Sequence, residues 1–253
     1  MLARYFELLV YRANAELSRE ASRAYLGFIW WILDPLLYMA IFYIVFGVGL
    51  RKGGSDYVMY LLCGLLVWKW IDSTIRTSCG IISSSVGLMG QVYIPKIILP
   101  AVIVVANTYK FLIVYLIFLV SLLLFHMPVT EAWLYIPVLL LIEFLLICAV
   151  SGFGAALVPI IPDAKYLVNY GMTLLFFLSG IFFDINDIAP EIQVYLRWNP
   201  MVTIIDGHRA VLLYGEAPDM AGLIWVGGAS LILFVLMFFL LVKLDRFYPR
   251  VVG

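Results

Sequence analysis

The hydrophobic and polar positions of this chain divide it into six long apolar runs separated by shorter polar stretches. The runs are Trp30–Leu50, Tyr57–Ser78, Leu99–Phe125, Ala132–Pro159, Tyr166–Phe183 and Met220–Leu244. A membrane-spanning helix needs about 20 apolar residues, whereas the strands of a membrane barrel are about ten residues long and alternate in polarity. Because the runs are long and apolar on every side, the pattern predicts an all-α polytopic membrane protein with six transmembrane helices.

The first 28 residues follow a different pattern, in which apolar positions recur on one face of a helix. This face holds Leu2, Tyr5, Phe6, Leu9, Ala13 and Leu17. Such a period is typical of an amphipathic helix that lies in the plane of the membrane surface. A helix that packs on a partner protein is the alternative. We therefore expect a single transmembrane domain over residues 1–253, with an interfacial helix over residues 1–28.

The composition agrees with a membrane protein and excludes several other classes. The chain has 253 residues, of which 65% are hydrophobic and 13% charged, and its mean hydropathy is +1.06. A soluble domain is about 45–50% apolar and about 25% charged, so a cytosolic enzyme is excluded. Lys plus Arg equals Asp plus Glu at 16 each, which gives no basic surplus for nucleic acid. Three widely spaced cysteines predict neither a disulfide framework nor a metal site.

The distribution of Lys and Arg predicts the orientation in the membrane. If the N-terminus is inside, nine Lys and Arg residues fall in inside segments and four in outside segments. Basic residues are enriched in cytoplasmic loops. Both termini are therefore predicted to be cytoplasmic, although Arg51 and Lys52 directly after the first run oppose this orientation.

Two connecting segments carry features that plain turns lack. They are the inside loop over residues 87–98 and the outside segment over residues 184–219. Pro95 and Pro100 bracket a short segment that cannot continue either neighbouring helix without a break. Such a short element at the membrane face suits docking into a soluble partner. A simple cytoplasmic turn is the alternative.

The outside segment is long, apolar and interrupted by prolines, which predicts two short helices dipping back into the membrane. A small external domain is the alternative there, and His208 is expected at the surface.

Two of the apolar runs carry aromatic stripes. Trp31, Tyr38, Phe42 and Phe46 share one face of the first run, and Tyr166, Tyr170, Thr173 and Phe177 share one face of the fifth. Aromatic faces bind the C–H faces of sugar rings, so a sugar polymer could slide along them. Interfacial aromatic belts and helix packing explain such residues equally well.

Charged residues inside the second run are the other unusual feature. Lys69, Asp72 and Arg76 stand three and four residues apart and are expected to neutralise one another on one helical face. Charges at such a depth either form internal salt bridges or line a water-filled path. The sequence contains no phosphate-binding loop of the G-x-x-x-x-G-K-[ST] type. Any ATP-driven step is therefore expected on a separate subunit.

Three short motifs, in this order, resemble a known family. They are Arg23–Trp30 followed by Asp34-Pro35, the segment Tyr93–Pro100, and Trp198-Asn199-Pro200 with Arg209 downstream. Together they resemble the membrane subunit of type-2 ABC exporters, in the branch that exports O-antigen, capsule or teichoic acid. The resemblance covers essentially the whole chain.

The resemblance implies a homodimeric permease in the bacterial inner membrane, with two copies of a separate ATP-binding subunit and a lipid-linked polysaccharide as substrate. It implies no cofactor in this chain, since ATP and Mg²⁺ are bound by the partner, and no nucleic acid. The residues implied at the ATPase interface are Arg19, Arg23, Gly90, Gln91, Val92, Tyr93, Ile94, Pro95 and Lys96. Those implied in the outer gate are Pro190, Trp198, Asn199, Pro200 and Arg209. The channel residues expected on this basis are Trp31, Tyr38, Phe42, Phe46, Lys69, Asp72, Arg76, Tyr166, Tyr170 and Phe177.

Three other functions stay open at this point. An exporter of drugs or small lipids belongs to the same superfamily. A membrane-embedded enzyme acting on lipid-linked sugars would need an acidic or histidine cluster at one membrane face, and Asp184, Asp187 and Glu191 form the one acidic cluster outside. A scaffold without transport activity would need neither the intramembrane charges nor the aromatic stripes.

Overall fold

A computed structural model of the protein describes residues 2–22, 25–49, 55–85, 87, 94–125, 127, 129–245 and 247–248. These residues form helices joined by short turns, and none of them lies in a strand. The all-α prediction is therefore confirmed for the part of the chain that is described.

The described residues contain ten α-helices, in this order along the chain. Their bounds are α1 Leu2–Ser22, α2 Trp30–Phe42, α3 Ser55–Cys79, α4 Ile81–Ser84, α5 Ile98–Leu124, α6 Ile136–Leu157, α7 Ala164–Leu178, α8 Pro190–Leu196, α9 Pro200–Arg209 and α10 Met220–Leu244. A 3₁₀ turn at Gly27–Ile29 precedes α2, and a π-helical segment at Tyr43–Gly49 continues it. Similar short segments lie at Glu131–Tyr135, Ile185–Asp187 and Ala210–Tyr214.

Five helical segments among the described residues are long and apolar enough to cross a membrane. They are Gly27–Val45, Tyr57–Cys79, Ile98–Leu124, Glu131–Leu157 and Met220–Leu244. They correspond to five of the six predicted runs, so the chain is a multi-pass membrane protein.

The remaining predicted run, Tyr166–Phe183, has a different structure. Helix α7 has 15 residues and ends at Leu178. Gly180 follows with a φ of +67°, a left-handed conformation that glycine adopts without steric cost and that ends a helix. Apolar residues continue to Phe183, but they belong to a turn, which hydropathy alone does not distinguish from a helix. A sixth membrane crossing stays a prediction.

Helix α3 forms the centre of the bundle, and α2 forms its most open side. Helix α3 packs against α2, α5, α6, α7 and α9. In the spanning window of α3, 67% of the residues are buried, compared with 6% in the window that contains α2. Helix α2 therefore has most of its surface available to lipid or to another chain.

The N-terminal helix packs on the chain's own bundle. Tyr5, Leu8 and Leu9 of α1 pack against the start of α5 at Ile98 and Val102. The apolar face predicted from the sequence thus has a partner within the protein. The position of α1 along the membrane surface stays a prediction.

Candidate functional site

A groove between α2, α3 and α7 contains many of the residues that the sequence singled out. Its cavity has a volume of about 310 Å³. The lining residues are Pro35, Tyr38, Phe42, Leu65, Trp68, Lys69, Asp72, Arg76, Thr173, Phe176 and Phe177. Six of the ten predicted channel residues are among them, although they come from three different helices.

Aromatic rings form one wall of this groove. The Phe42 ring lies 4.1 Å from the ring of Phe182 and 5.8 Å from that of Phe176, between ring centroids. Tyr38 lies one turn earlier on α2, nearly parallel to Phe42 at 6.3 Å. Tyr38 and Phe177 are exposed, whereas Phe42 is half-buried. The stripe thus joins a packed aromatic cluster to rings that a ligand can reach.

Charged side chains form the opposite part of the groove and connect its helices. The Arg76 Nε donates to Asp72 Oδ1 at 2.7 Å, as predicted for these two residues. The guanidinium crosses to α7, where Nη1 donates to the Asn169 carbonyl oxygen at 3.0 Å and Nη2 to Thr173 Oγ1 at 3.2 Å. Arg76 therefore holds α3 and α7 together through polar contacts inside the membrane-spanning region.

Lys69 differs from the prediction that the three charges of α3 neutralise one another. Its Nζ lies 2.5 Å from Asp34 Oδ2 of α2 and 5.3 Å from the centroid of the Tyr38 ring. The side chain points across to the neighbouring helix instead of along its own. That part of the prediction was wrong, because the acid that pairs with Lys69 stands on the facing helix α2.

Trp31 lies in a second cavity, of about 530 Å³, between α1, α2, α3 and α5. Lys69 and Arg19 also line this cavity. Lys110 of α5 forms an ion pair with Glu20 of α1 at 2.6 Å, and its Nζ lies 5.9 Å from the Trp31 ring. Arg19 pairs with Glu16 on its own helix. Trp31 and Tyr38 share a helical face but open onto different spaces.

The other predicted channel residues are not brought into the groove. Tyr166 and Tyr170 lie on α7 with 65% and 75% of their surface exposed, and neither lines either of these cavities. The Phe46 side chain lies outside the described part of the structure.

The predicted outer-gate residues form a compact turn between α7 and α9. Asn199 caps α9, since its Oδ1 accepts from the Met201 backbone N–H at 3.0 Å. Its Nδ2 donates to Ser179 Oγ at 2.9 Å, just after α7 ends. Pro190 and Pro200 occupy the first positions of α8 and α9, where a missing N–H costs nothing. Trp198 is exposed, and its ring lies 5.9 Å from that of Trp225 on α10.

Arg209 is the most densely bonded side chain of this outer region. It is 2% exposed. Its Nη1 donates to the Gly180 carbonyl oxygen at 2.8 Å, and its Nη2 donates to those of Ile181 at 2.9 Å and Tyr60 at 3.3 Å. The guanidinium carbon also lies 3.4 Å from the centroid of the Tyr60 ring. Arg209 thus joins α9, α3 and the turn after α7.

Gly64 makes room for this arginine. A Cβ atom at Gly64 would lie 2.8 Å from Arg209 Nη2, which is too close for an unstrained contact. The site therefore needs both a long planar cation and a residue without a side chain one turn after Tyr60.

His208 is fully buried, contrary to the surface position expected from the sequence. Its Nδ1 lies 3.0 Å from the Ile204 carbonyl oxygen, and its ring meets Tyr115 edge to face at 5.9 Å. The expectation was wrong because α9, which carries His208, packs against α3, α6 and α10 and so lies inside the bundle.

The predicted ATPase interface is described only at its edge. Arg23, Gly90, Gln91, Val92 and Tyr93 lie outside the described residues. Ile94 is buried against α1, and Pro95 and Lys96 form the turn before α5.

The turn before α5 contacts the segment that follows α10. The Lys96 backbone N–H donates to Asp245 Oδ1 at 2.7 Å, and Tyr248 Oη donates to the Ala156 carbonyl oxygen at 3.1 Å. Burial raises the pKa of the Tyr248 phenol to about 12, and the Asp245 carboxylate acts in the same direction. The hydroxyl therefore stays protonated and able to donate at neutral pH.

Several residues that organise these sites were not predicted as site residues. They are Asp34, Tyr60, Gly64, Asn169, Asp245 and Tyr248. Asp34 precedes Pro35 in a motif that the sequence did single out, and an acid inside an apolar run is a detectable signal. The others act through partners far away in the sequence, which no local pattern reveals.

Comparison with known proteins gives consistent results. The chain is 26% identical over 234 residues to the O-antigen export system permease protein RfbA of Myxococcus xanthus, covering 92% of this chain and 90% of the relative. It is 24% identical over 211 residues to RfbA of Klebsiella pneumoniae, covering 83% and 82%. It is 25% identical over 227 residues to the polysialic acid transport protein KpsM of Escherichia coli, covering 86% and 85%. The family model described as ABC-2 type transporter matches residues 13–213, and the chain therefore belongs to the ABC-2 type transporter family.

Proposed function

We propose that this protein is the channel-forming permease subunit of an ATP-driven exporter that moves a lipid-linked polysaccharide, such as O-antigen, across the bacterial inner membrane. The relatives named for O-antigen export and for polysialic acid transport support this substrate class. The observation that carries the proposal is the groove between α2, α3 and α7, where aromatic rings face paired charges.

The chemistry of the groove suits a sugar polymer. Aromatic faces contact the apolar C–H faces of sugar rings, while the hydroxyl groups remain free for polar partners. Lys69 and Arg76 are both paired with carboxylates, at Asp34 and Asp72. Because these pairs carry no net charge, they offer hydrogen bonds without holding a polymer tightly at one place.

Exposed faces on α2 and α7 support a homodimer with the channel between the subunits. Both helices border the groove, and both carry exposed tyrosines, at Tyr38 and at Tyr166 and Tyr170. Hydrocarbon is a poor environment for tyrosine hydroxyl groups, whereas a wet channel or a partner surface provides hydrogen bonds. A second copy placed against these faces would complete the channel wall.

The outer region supports a sixth crossing that is completed by short helices. Helix α7 is about 22 Å long at 1.5 Å per residue, which is less than the roughly 30 Å of the hydrocarbon core. Asn199 and Arg209 fix α9 to the end of α7. We place α8 and α9 in the outer leaflet, where they would act as the gate.

On this proposal, ATP hydrolysis occurs on a separate partner subunit that contacts residues 87–98 and α1. The basic residues of the inner loops support cytoplasmic termini. ATP binding would draw the two partner subunits together, displace residues 87–98 of each permease subunit, which would act as its coupling segment, and open the path between α2 and α7.

Capture of the partner tests the assembly. The tagged protein is purified in mild detergent from its native membranes, and co-purifying proteins are identified by mass spectrometry. We expect a subunit with a phosphate-binding loop in equal amount. A stable chain recovered without any ATPase would contradict the proposal.

Replacement of the groove aromatics tests the channel. Tyr38→Ala combined with Phe42→Ala is expected to slow polysaccharide export at least about fivefold, since an aromatic contact contributes about 0.5–1.5 kcal/mol. Capture of the partner should stay at the wild-type level. Phe238→Ala combined with Phe239→Ala removes two exposed aromatics of α10 and serves as the matched control. Export at the wild-type rate in the groove variant would refute the sugar-stacking role.

The acidic cluster of the outer segment gives little support to an enzyme. Asp184 caps the turn that follows it, since its Oδ1 accepts from the Asn186 backbone N–H at 2.9 Å. This contact is typical of a loop acid. An exporter of a drug or small lipid in the same family is the second candidate, and it predicts unchanged surface polysaccharide when the protein is removed.

A further inference from the structure

The segment that follows α10 contacts the start of α5 through a carboxylate. The Lys96 backbone N–H donates to Asp245 Oδ1 at 2.7 Å, although the two residues are 149 positions apart. Lys96 lies in the turn that leads into α5, one residue before the N-cap Ile97. Asp245 therefore holds this turn from another part of the chain, much as a capping side chain normally fixes the start of a helix locally.

The position of Asp245 is unfavourable for its own helix. It directly follows Leu244 and is the C-terminal cap of α10. A negative charge at the C-terminus of a helix opposes the helix dipole, whereas the same charge at an N-terminus is stabilising. The carboxylate is thus better placed for the start of α5 than for the end of α10.

Tyr248 makes a second contact from the same segment. It is 0% exposed, and its Oη donates to the Ala156 carbonyl oxygen at 3.1 Å, near the end of α6. Its ring packs with Ile82, Leu99 and Leu241. A carbonyl in the last turn of a helix lacks an intrahelical partner, so Tyr248 satisfies the end of α6 while Asp245 holds the turn before α5.

The Asp245 contact is made to the inside loop over residues 87–98, which carries the predicted ATPase-interface residues. Lys96 is 2% exposed and lies at the end of that segment. Helix α10 packs along α6, and Asp245 and Tyr248 connect this pair to the start of α5. A displacement of the turn at Lys96 would therefore reach α6 and α10 through these contacts.

We propose that Asp245 and Tyr248 are positioning residues that clasp the turn at Lys96, which leads from the inside loop into α5, to the α6–α10 pair, so that these parts move as one body when the ATPase partner changes conformation. We refer to Asp245 and Tyr248 together as the clasp. This inference rests on the proposed function, because it assigns the clasp a role in transmitting ATP-driven motion.

The first experiment measures the clasp without transport. Hydrogen exchange is followed at the backbone amides of Lys96 and Ile97 in the full chain in nanodiscs. Asp245→Ala is expected to accelerate exchange about fivefold, in the range of losing a helix cap. Asp245→Asn keeps an oxygen that accepts the same bond and loses only the charge, so its exchange is expected to accelerate less than that of Asp245→Ala. Equal exchange in Asp245→Ala and the wild type would overturn the clasp, as would equal acceleration in both variants.

The second experiment measures coupling in the complex with the ATPase partner. The ratio of polymer exported to ATP hydrolysed is expected to fall about fivefold in Asp245→Ala and to fall less in Asp245→Asn. Tyr248→Phe keeps the buried ring and removes only the hydroxyl bond, and it should lower the ratio about twofold while partner capture is unchanged. It also keeps the proposal testable if Asp245→Ala fails to fold.

The two experiments separate the clasp from the proposed function. Unchanged ratios in both Asp245→Ala and Tyr248→Phe would overturn the coupling role, even if exchange at Lys96 is accelerated. A wild-type chain that neither captures an ATPase nor exports polysaccharide would instead overturn the proposed function. In that case the exchange measurement still decides whether the clasp exists.

Discussion

Arg209 offers the sharpest test of how the outer region is held to the bundle. The substitution Arg209→Met removes the charge but keeps an unbranched apolar side chain. It leaves the carbonyl oxygens of Gly180 and Ile181 without the donor that each has in the structure, and it removes the bond to the Tyr60 carbonyl oxygen, which lies within α3. Arg209 is 2% exposed, so the site is closed to solvent and no water replaces the lost donor.

The expected loss follows from the two acceptors that lose their donor. An unsatisfied buried acceptor costs about 1–3 kcal/mol. The free energy of unfolding should therefore fall by about 2–6 kcal/mol in Arg209→Met. The free energy of unfolding of Arg209→Lys should lie between those of Arg209→Met and the wild type, because an ammonium group lacks the planar fork that reaches several carbonyls at once.

Arg197 provides the matched control in the same outer segment. It is exposed, and its Nη2 donates to Asn186 Oδ1 at 3.1 Å. Arg197→Met should change stability by no more than about 0.5 kcal/mol, as surface substitutions usually do. The assay is unfolding of the purified protein in lipid nanodiscs, followed by steric trapping or by thermal denaturation.

Gly64 supplies an independent check through the same contact. Gly64→Ala places a Cβ 2.8 Å from Arg209 Nη2, which is too close, and should destabilise the protein. Because the two residues touch, the effects of Gly64→Ala and Arg209→Met should not add. Additive effects, or an Arg209→Met variant as stable as Arg197→Met, would refute this account of the outer region.

Three further substitutions test other polar groups. Asn199→Ala removes the cap of α9 and the bond to Ser179, so stability should fall by about 1–2 kcal/mol, measured by thermal unfolding in nanodiscs. Arg76→Gln loses the ion pair with Asp72 and the guanidinium bond that reaches Asn169 of α7. A disulfide engineered between α3 and α7 should therefore form more slowly than in the wild type. An unchanged rate would contradict the bridging role of Arg76. Glu143 is 0% exposed, and neither of its carboxylate oxygens has a hydrogen-bond partner among the described residues. Glu143→Gln should therefore leave the midpoint of thermal unfolding equal or higher. A clear decrease would show that the acid has an unrecognised partner.

The sequence predicted most of the spanning helices because their signal is local and strong. Long apolar runs fix the existence of a membrane helix regardless of what surrounds it. The fifth run shows the limit of this reasoning. Its hydropathy continues to Phe183, but Gly180 ends the helix early and turns the chain towards α8 and α9.

The site was only partly predictable, because its contacts join residues that are distant in the chain. The stripe at Tyr38 and Phe42 follows from helical spacing, and so does the pair of Asp72 and Arg76. The partner of Lys69 is on another helix, and its identification needs the packing of α2 on α3. The same holds for His208, whose burial depends on how α9 sits among α3, α6 and α10.

Removal of the protein from its native cell tests the central claim most directly. The gene is deleted, and surface polysaccharide is measured together with lipid-linked polysaccharide retained on the cytoplasmic side. We predict loss of the surface polymer, accumulation of the lipid-linked polymer inside, and recovery of both on re-expression of the wild-type chain. Unchanged surface polysaccharide in the deletion strain would contradict the proposal that this permease exports a polysaccharide.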